Sequence, residues 1–254
     1  MLYGFCTGFA TKPLFALEYD LYSAIMASGF DYVESPLMTL MELDRKEFDV
    51  HLDIFRSPVA CNLFPGSLPL YTSDEKQIAE YVDEAFDRMK ASGTNKVIFG
   101  SGKARSFSSM ERNDAYKILI NITRDIIGPA SSKNGVLTLI EPLKRGECNI
   151  INTLKEGLAF VKDVDSESVK LMADLYHMES NGENIEDLRD CLQYIHHIHI
   201  AGPERNLQAT LSDSYIAQGL RILKEEGYDK AISFETDLNG DMGKELFYLK
   251  TLMQ

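Results

Sequence analysis

The sequence predicts a single (β/α)8 barrel spanning residues 1–254, and three observations carry that prediction. The chain has 254 residues, close to the roughly 250 in which eight βα units close into one domain. Short apolar runs alternate with stretches of helical periodicity along its whole length, which is the pattern of a parallel sheet. No change of composition and no linker divides the chain, and a hydrophobic fraction of 44% supplies a sizeable core.

The elements follow in order. Leu2 to Cys6 reads as a short strand, and Leu17 to Ser28 as a helix ending before a glycine. Tyr32-Val33-Glu34 is the second strand, followed by a polar, helix-like stretch from Met41 to Phe55. Val59 to Asn62 is the third strand. Ser73 to Met89 is the clearest helix, with Ile78, Val82, Ala85 and Met89 at helical intervals. Lys96 to Phe99 forms the fourth strand and Asn113 to Ile127 the next helix. Strand Val136–Ile140 then leads to helix Thr153–Lys162, and Val169 to Ala173 runs up to Asp174. Helix Ile185–Cys191 precedes strand Ile195–Ile200, helix Ser214–Glu226 precedes strand Ala231–Phe234, and Leu246 to Met253 is the last helix. The loop from Phe64 to Thr72, with two prolines and a glycine, is a candidate lid or mouth loop.

Charge and cysteine usage narrow the function. Thirty-nine acidic against 26 basic residues leave a net charge of −13, a surface that repels phosphate backbones and argues against nucleic-acid binding. No apolar run approaches the roughly 18 residues of a membrane span, and the N-terminus lacks the basic and apolar regions of a signal peptide. Cys6, Cys61, Cys148 and Cys191 are scattered and form no CxxC pair. They read as reduced, buried thiols of a cytoplasmic protein.

The chemistry is concentrated at four strand ends. The run Val136 to Ile140 is apolar or β-branched throughout, ends in Glu141 and is stopped by Pro142. Alone, Glu141 reads as the exit into a solvated loop. The design recurs, however, with Asp174 after strand six, His199 near the end of strand seven and Glu235 after strand eight. Consecutive strand ends are neighbours around one rim of a barrel. Three carboxylates brought together there cannot all stay ionised without a cation. Carboxylate oxygens with one imidazole suit one divalent ion, Mn2+, Co2+ or Mg2+, with Zn2+ also compatible. In His196-His197-Ile198-His199, residues 197 and 199 share a face; His199, nearer the rim, is the better ligand and His197 the deeper residue. His51 has no sequence partner and reads as structural.

The segment Glu141-Pro142-Leu143-Lys144-Arg145-Gly146-Glu147 resembles the E-P-L-N-R-x-E motif of the ketose 3-epimerase and hydroxypyruvate isomerase family. Asp174-Leu175-Tyr176-His177-Met178 resembles its D-x-x-H-M motif, and His197-Ile198-His199 followed by Arg205 its H-x-H…R motif. Phe234-Glu235 matches its final strand glutamate. The resemblance implies a xylose-isomerase-like TIM barrel in which Glu141, Asp174, His199 and Glu235 bind the metal. It also implies that Glu147, His177 and Arg205 contact substrate oxygens, and that Cys61 lines the pocket, a weaker match. Two departures concern the sugar: Lys144 stands where the motif has Asn, and the chain has no Trp, so an aromatic wall must come from Phe or Tyr. By analogy with the family, the protein is a homo-oligomer, dimer or tetramer, acting on a small sugar or sugar derivative.

A divalent ion holding a carbonyl and the adjacent hydroxyl acidifies the C–H between them, towards a cis-enediolate. Glu141 and Glu235, from strands five and eight, suit two opposed acid/bases. An inositol-type dehydratase, a lyase on the same scaffold, would use the same ligands, and a non-catalytic sugar-binding barrel would not need both bases. An endonuclease IV-like phosphodiesterase needs a trinuclear zinc cluster with histidines from the first half of the barrel. This chain has five His in all and only His51 before residue 177. Finally, Gly100-Ser101-Gly102-Lys103-Ala104-Arg105 lacks P-loop spacing. Its Lys103 and Arg105 read either as a phosphate- or carboxylate-facing rim loop or as a turn with solvated basic residues.

Overall fold

The computed structural model describes residues 1–8, 18–50, 52 and 56–254. His51 and the ends of the stretches read as running from Leu17 and to Phe55 lie outside the described residues. Eight parallel strands close into a barrel in chain order. They are β1 (Leu2–Cys6), β2 (Tyr32–Pro36), β3 (Val59–Cys61), β4 (Lys96–Phe99), β5 (Leu137–Ile140), β6 (Val169–Asp174), β7 (Ile195–Ile200) and β8 (Ala231–Phe234). β8 pairs back onto β1 with Phe234 opposite Phe5.

Side chains alternate across each strand, and the barrel sorts them into two cores. Cys6, Tyr32, Val59, Ile98, Leu139 and Met172 belong to a small inner cluster. Phe5, Val33, Phe99, Ile140, Ile198 and Phe234 join the larger core between strands and helices. Two residues further along the inner phase lie Glu34, Cys61, Gly100, Glu141 and Asp174. The same phase carries His197 and His199 on β7, and Ser233 and Glu235 at the end of β8. The hydrophobic layer therefore ends in a ring of polar groups at the C-terminal mouth.

The helices form where their sequences direct them. Glu75–Ser92 is capped by Asp74, whose carboxylate accepts from Lys76 N, and it ends at Gly93 with φ 76°. It buries Ile78, Val82, Ala85, Phe86 and Met89. The polar stretch after β2 divides into Leu37–Glu42 and Arg45–Val50. The helix read as Asn113 to Ile127 begins at Arg112 and continues to Asn134. Pro129 has no N–H for the carbonyl of Asp125, and its ring crowds that carbonyl. The chain relieves this by widening Thr123–Ile127 into a π-turn, in which Gly128 N reaches Thr123 O. The last helix starts at Met242, a turn before the apolar pattern becomes visible. Among the described residues, no helix is long and apolar enough to cross a membrane.

Two loops change their meaning in the fold. The Phe64–Thr72 loop is tied to the loop after β4: Phe64 N donates to Ser101 Oγ at 2.9 Å and Leu70 N to Ala104 O at 2.9 Å. Within that second loop Lys103 is exposed, but Arg105 is fully buried. Its guanidinium donates to Phe99 O and to Glu141 O, both at 2.8 Å. Arg105 is thus neither solvated nor aimed at a ligand; it stitches the end of β4 to the residue that leaves β5. Arg105→Met leaves two buried carbonyls without that donor and is expected to cost about 2–4 kcal/mol. Urea denaturation of the variant measures this.

Candidate active site at the barrel mouth

Strand register brings the four strand-end groups together. Asp174 pairs with His199 across β6 and β7, and His199 with Ser233 across β7 and β8. A register shift between Leu171 and Ala173 against β7 adjusts the two strands just below this point. Nδ1 of His199 lies 3.6 Å from Glu141 Oε1 and 3.5 Å from Glu235 Oε2. Ligand atoms of Glu141, Asp174, His177 and Glu235 all lie within 4.8 Å of one another. All five residues are buried.

Local geometry explains how each is held. Asp174 caps the short helix Leu175–Ser180 with Oδ1, which accepts from Tyr176 N and His177 N at 2.8 and 3.4 Å. Its Oδ2 is left facing the site. Glu141 reaches into the mouth because position 100 is glycine: a Cβ there would stand 2.0 Å from Glu141 Oε2. Glu235 Oε2 accepts from the Arg205 guanidinium at 2.6 Å. The loop from Pro142 to Ile151 is fastened by Asn152, whose amide donates to Leu143 O at 2.8 Å and to Cys148 O at 2.7 Å.

The two histidines differ in which nitrogen is offered. Nε2 of His199 lies 2.9 Å from Glu34 Oε1. A carboxylate only accepts, so Nε2 carries a hydrogen. Burial opposes a charge on this imidazole, but Glu34 and Glu235 outweigh it and raise its pKa well above the ordinary range, so a cation at Nδ1 would take the place of a proton. His177 is the reverse: its Nδ1 accepts from Lys144 N at 3.3 Å, so its Nε2–H points outward as a donor, 3.5 Å from Asp174 Oδ2. By this bonding His199 suits a cation and His177 suits a substrate oxygen.

Burial raises the Glu141 carboxyl above its ordinary range. Burial acts on Glu235 in the same sense, but the neighbouring His199 and Arg205 outweigh it and hold that carboxyl low. Among the buried side-chain atoms without a hydrogen-bond partner, three lie at this centre: Glu141 Oε1, Asp174 Oδ2 and His199 Nδ1. Orphaned buried groups are costly, and these three belong to three different strands around one point. A divalent cation bound by Glu141, Asp174, His199 and Glu235 would satisfy all three. The donor set fits that ion.

Around this centre, Glu147 is half-exposed with Oε2 3.9 Å from His177 Nε2. Lys144 Nζ reaches Glu147 Oε1 at 3.2 Å and bonds the Tyr176 hydroxyl. The Arg205 guanidinium lies 3.9 Å from the centroid of the Tyr176 ring, so this tyrosine is the aromatic surface beside the site. Cys61 sits slightly apart, its Sγ 3.6 Å from Cys6 Sγ.

Sequence reading gave Glu34 no role. It is completely buried, with Oε1 on His199 and Oε2 bonded to His197 at 3.1 Å and to Ser233 at 2.9 Å. Burial opposes its ionisation, but the two imidazoles prevail and hold its carboxyl far below the usual range. Ser233 in turn bonds the Tyr32 hydroxyl at 2.9 Å. The available signal was a glutamate in the inner phase of an otherwise apolar strand.

Known proteins resemble the chain over this whole architecture. The family model described as xylose isomerase-like TIM barrel matches residues 23–252. The D-psicose 3-epimerase of Enterocloster bolteae is 26% identical over 244 residues, 89% of this chain and 80% of that enzyme. The 3-dehydro-D-guloside 4-epimerase of Escherichia coli is 25% identical over 118 residues, 45% of this chain and 45% of that enzyme. This chain's match thus spans less than half of that second relative. The crystal structure of D-psicose 3-epimerase from Clostridium cellulolyticum H10 with D-tagatose superposes with a TM-score of 0.84 at 16% identity, over 100% of both chains. At that identity the likeness concerns the fold.

Two substitutions test the geometry. Glu34→Gln keeps the shape but removes the charge that orients His199, and Mn2+ affinity is expected to fall roughly 10–100-fold by titration calorimetry. Gly100→Ala pushes the Glu141 carboxylate aside, so the same titration should show weakened binding in a protein whose circular dichroism is unchanged.

Proposed function

The chain belongs to the xylose isomerase-like TIM barrel family, and from its site we propose that it is a sugar epimerase or isomerase requiring one divalent cation. The observation that carries the proposal is the convergence of two carboxylates from separate strands, Glu141 and Glu235, on His199 Nδ1, at 3.6 and 3.5 Å. The names of the relatives, D-psicose 3-epimerase and 3-dehydro-D-guloside 4-epimerase, support the same class.

Glu141, Asp174, His199 and Glu235 would hold the cation, which would supply Lewis acidity to a ketose carbonyl beside a hydroxyl. One glutamate takes the proton from the carbon bearing that hydroxyl, leaving an enediolate, and the other, in its protonated form, delivers its own proton. Delivery to the opposite face of the same carbon is epimerisation; delivery to the adjacent carbon is aldose–ketose isomerisation. The Nε2–H of His177 donates to a substrate oxygen. Arg205 keeps Glu235 ionised and in place, and holds the oxygen-rich end of the sugar together with Glu147. Cys61 lines the pocket behind. The buried mouth keeps water from the enediolate. The lyase alternative uses the same groups and differs in expelling water from the substrate.

A screen of ketoses, aldoses and hydroxypyruvate with Mn2+ or Co2+, read by chromatography, identifies the reaction. In deuterated solvent the product should carry deuterium at the reacting carbon. Glu141→Gln and Glu235→Gln should each lower kcat by at least about 100-fold while leaving the thermal midpoint near wild type. Retained turnover in both variants overturns the assignment of the bases. One bound ion per chain is expected, and none would point to a binding protein.

A further inference from the structure

Beside the acidic centre lies a second set of donor atoms that the proposed reaction does not use as such. Cys6 at the end of β1 and Cys61 at the end of β3 bring their sulfurs to 3.6 Å. Cys6 Sγ also lies 3.7 Å from Glu235 Oε1, the oxygen that Arg205 does not hold. These atoms surround one space. A Cβ built on Gly8 would stand 3.4 Å from Cys6 Sγ, 3.4 Å from Glu235 Oε1 and 3.5 Å from Cys61 Sγ. Among the described residues, a side chain at position 8 would stand in van der Waals contact with all three of these atoms. Glu34 stands close to both sulfurs, but His197, His199 and Ser233 already occupy its oxygens. Glu235 is the carboxylate left available.

We propose that Cys6, Cys61 and Glu235 form a second cation site, selective for a soft d10 ion such as Zn2+ or Cd2+, which shares Glu235 with the hard-cation centre. Two thiolates about 2.3 Å from a tetrahedral zinc stand about 3.8 Å apart, so the 3.6 Å between these sulfurs needs little adjustment. On binding, each thiol releases its proton to solvent and donates a sulfur lone pair to the ion; no electron is transferred. Thiolate ligands discriminate against Mn2+ and Mg2+, which prefer oxygen. The two sites therefore sort cations by softness. Occupation of the thiolate site draws Glu235 Oε1 towards the sulfurs and so inhibits turnover. That last consequence alone rests on the function proposed above.

Titration of the chelator-treated full-length protein with cadmium chloride, in excess Mn2+, tests the site. An ultraviolet thiolate-to-cadmium charge-transfer band should saturate at one ion per chain, because cadmium held only by the carboxylate and imidazole groups gives no such band. Cys6→Ser and Cys61→Ser should each abolish it. The affinity loss should exceed the roughly 10–100-fold that follows removal of a partner behind a ligand. Cys148→Ser with Cys191→Ser should retain the band. Gly8→Ala keeps both thiols and fills the space with a methyl group at ordinary contact distance, and it should weaken cadmium binding at least about tenfold. Absence of the band, or its survival in Cys6→Ser/Cys61→Ser or at full strength in Gly8→Ala, overturns the proposal. A saturated band with undiminished sugar turnover leaves the cation site standing and overturns the role given to Glu235 instead.

Discussion

Burying carboxylates inside a barrel is the constraint to which the mouth of this protein answers. Two carboxylates about 4 Å apart repel by roughly 4 kcal/mol at an effective dielectric of 20, and Glu34, Glu141, Asp174 and Glu235 are all buried there. Each is given a specific answer. Glu34 is bonded to His197, His199 and Ser233; Glu235 is bonded to Arg205; Asp174 spends one oxygen on a helix cap. These partners leave Glu141 Oε1, Asp174 Oδ2 and His199 Nδ1 unsatisfied at the mouth. A cation bound there would serve all three.

The barrel meets that constraint through alternation and register. Because every inward position follows from the pleat, the strands need only end in polar residues of the correct phase to aim them at a common axis. Paired positions then set neighbours: Cys6 beside Glu34, Asp174 beside His199, His199 beside Ser233. Glycine at 100 and a buried arginine at 105 finish the arrangement around Glu141, one by leaving room for its carboxylate and the other by holding its carbonyl. Neither residue is chemical in itself. Both act on where a chemical residue stands.

The two imidazoles near the centre show how hydrogen bonding separates roles that composition cannot. His177 and His199 are both buried beside the same carboxylate, Glu141. A backbone N–H on Nδ1 turns His177 into a donor, and a carboxylate on Nε2 leaves Nδ1 as the His199 nitrogen that faces the acidic groups. The same reasoning places Lys144. Where the related motif has Asn, this chain has a cation that bonds Glu147 and the Tyr176 hydroxyl, so the rim of the site carries a charged, aromatic surface.

The sequence by itself determined the barrel, its eight strands and the strand-end positions of Glu141, Asp174, His199 and Glu235. Apolar runs of strand length and helical periodicity are local signals, and a carboxylate ending a buried strand is legible without coordinates. Partners from distant elements were not legible. Glu34 lies 165 residues from His199 and looked like one more strand residue, while Arg105 read either as a ligand-facing rim residue or as part of a solvated turn, because burial against carbonyls leaves no mark in a local pattern. The π-turn before Pro129 and the thiol pair of Cys6 with Cys61, 55 residues apart, were likewise decided by packing. Local periodicity specifies which way a side chain faces, and only the closure of the barrel decides what it faces.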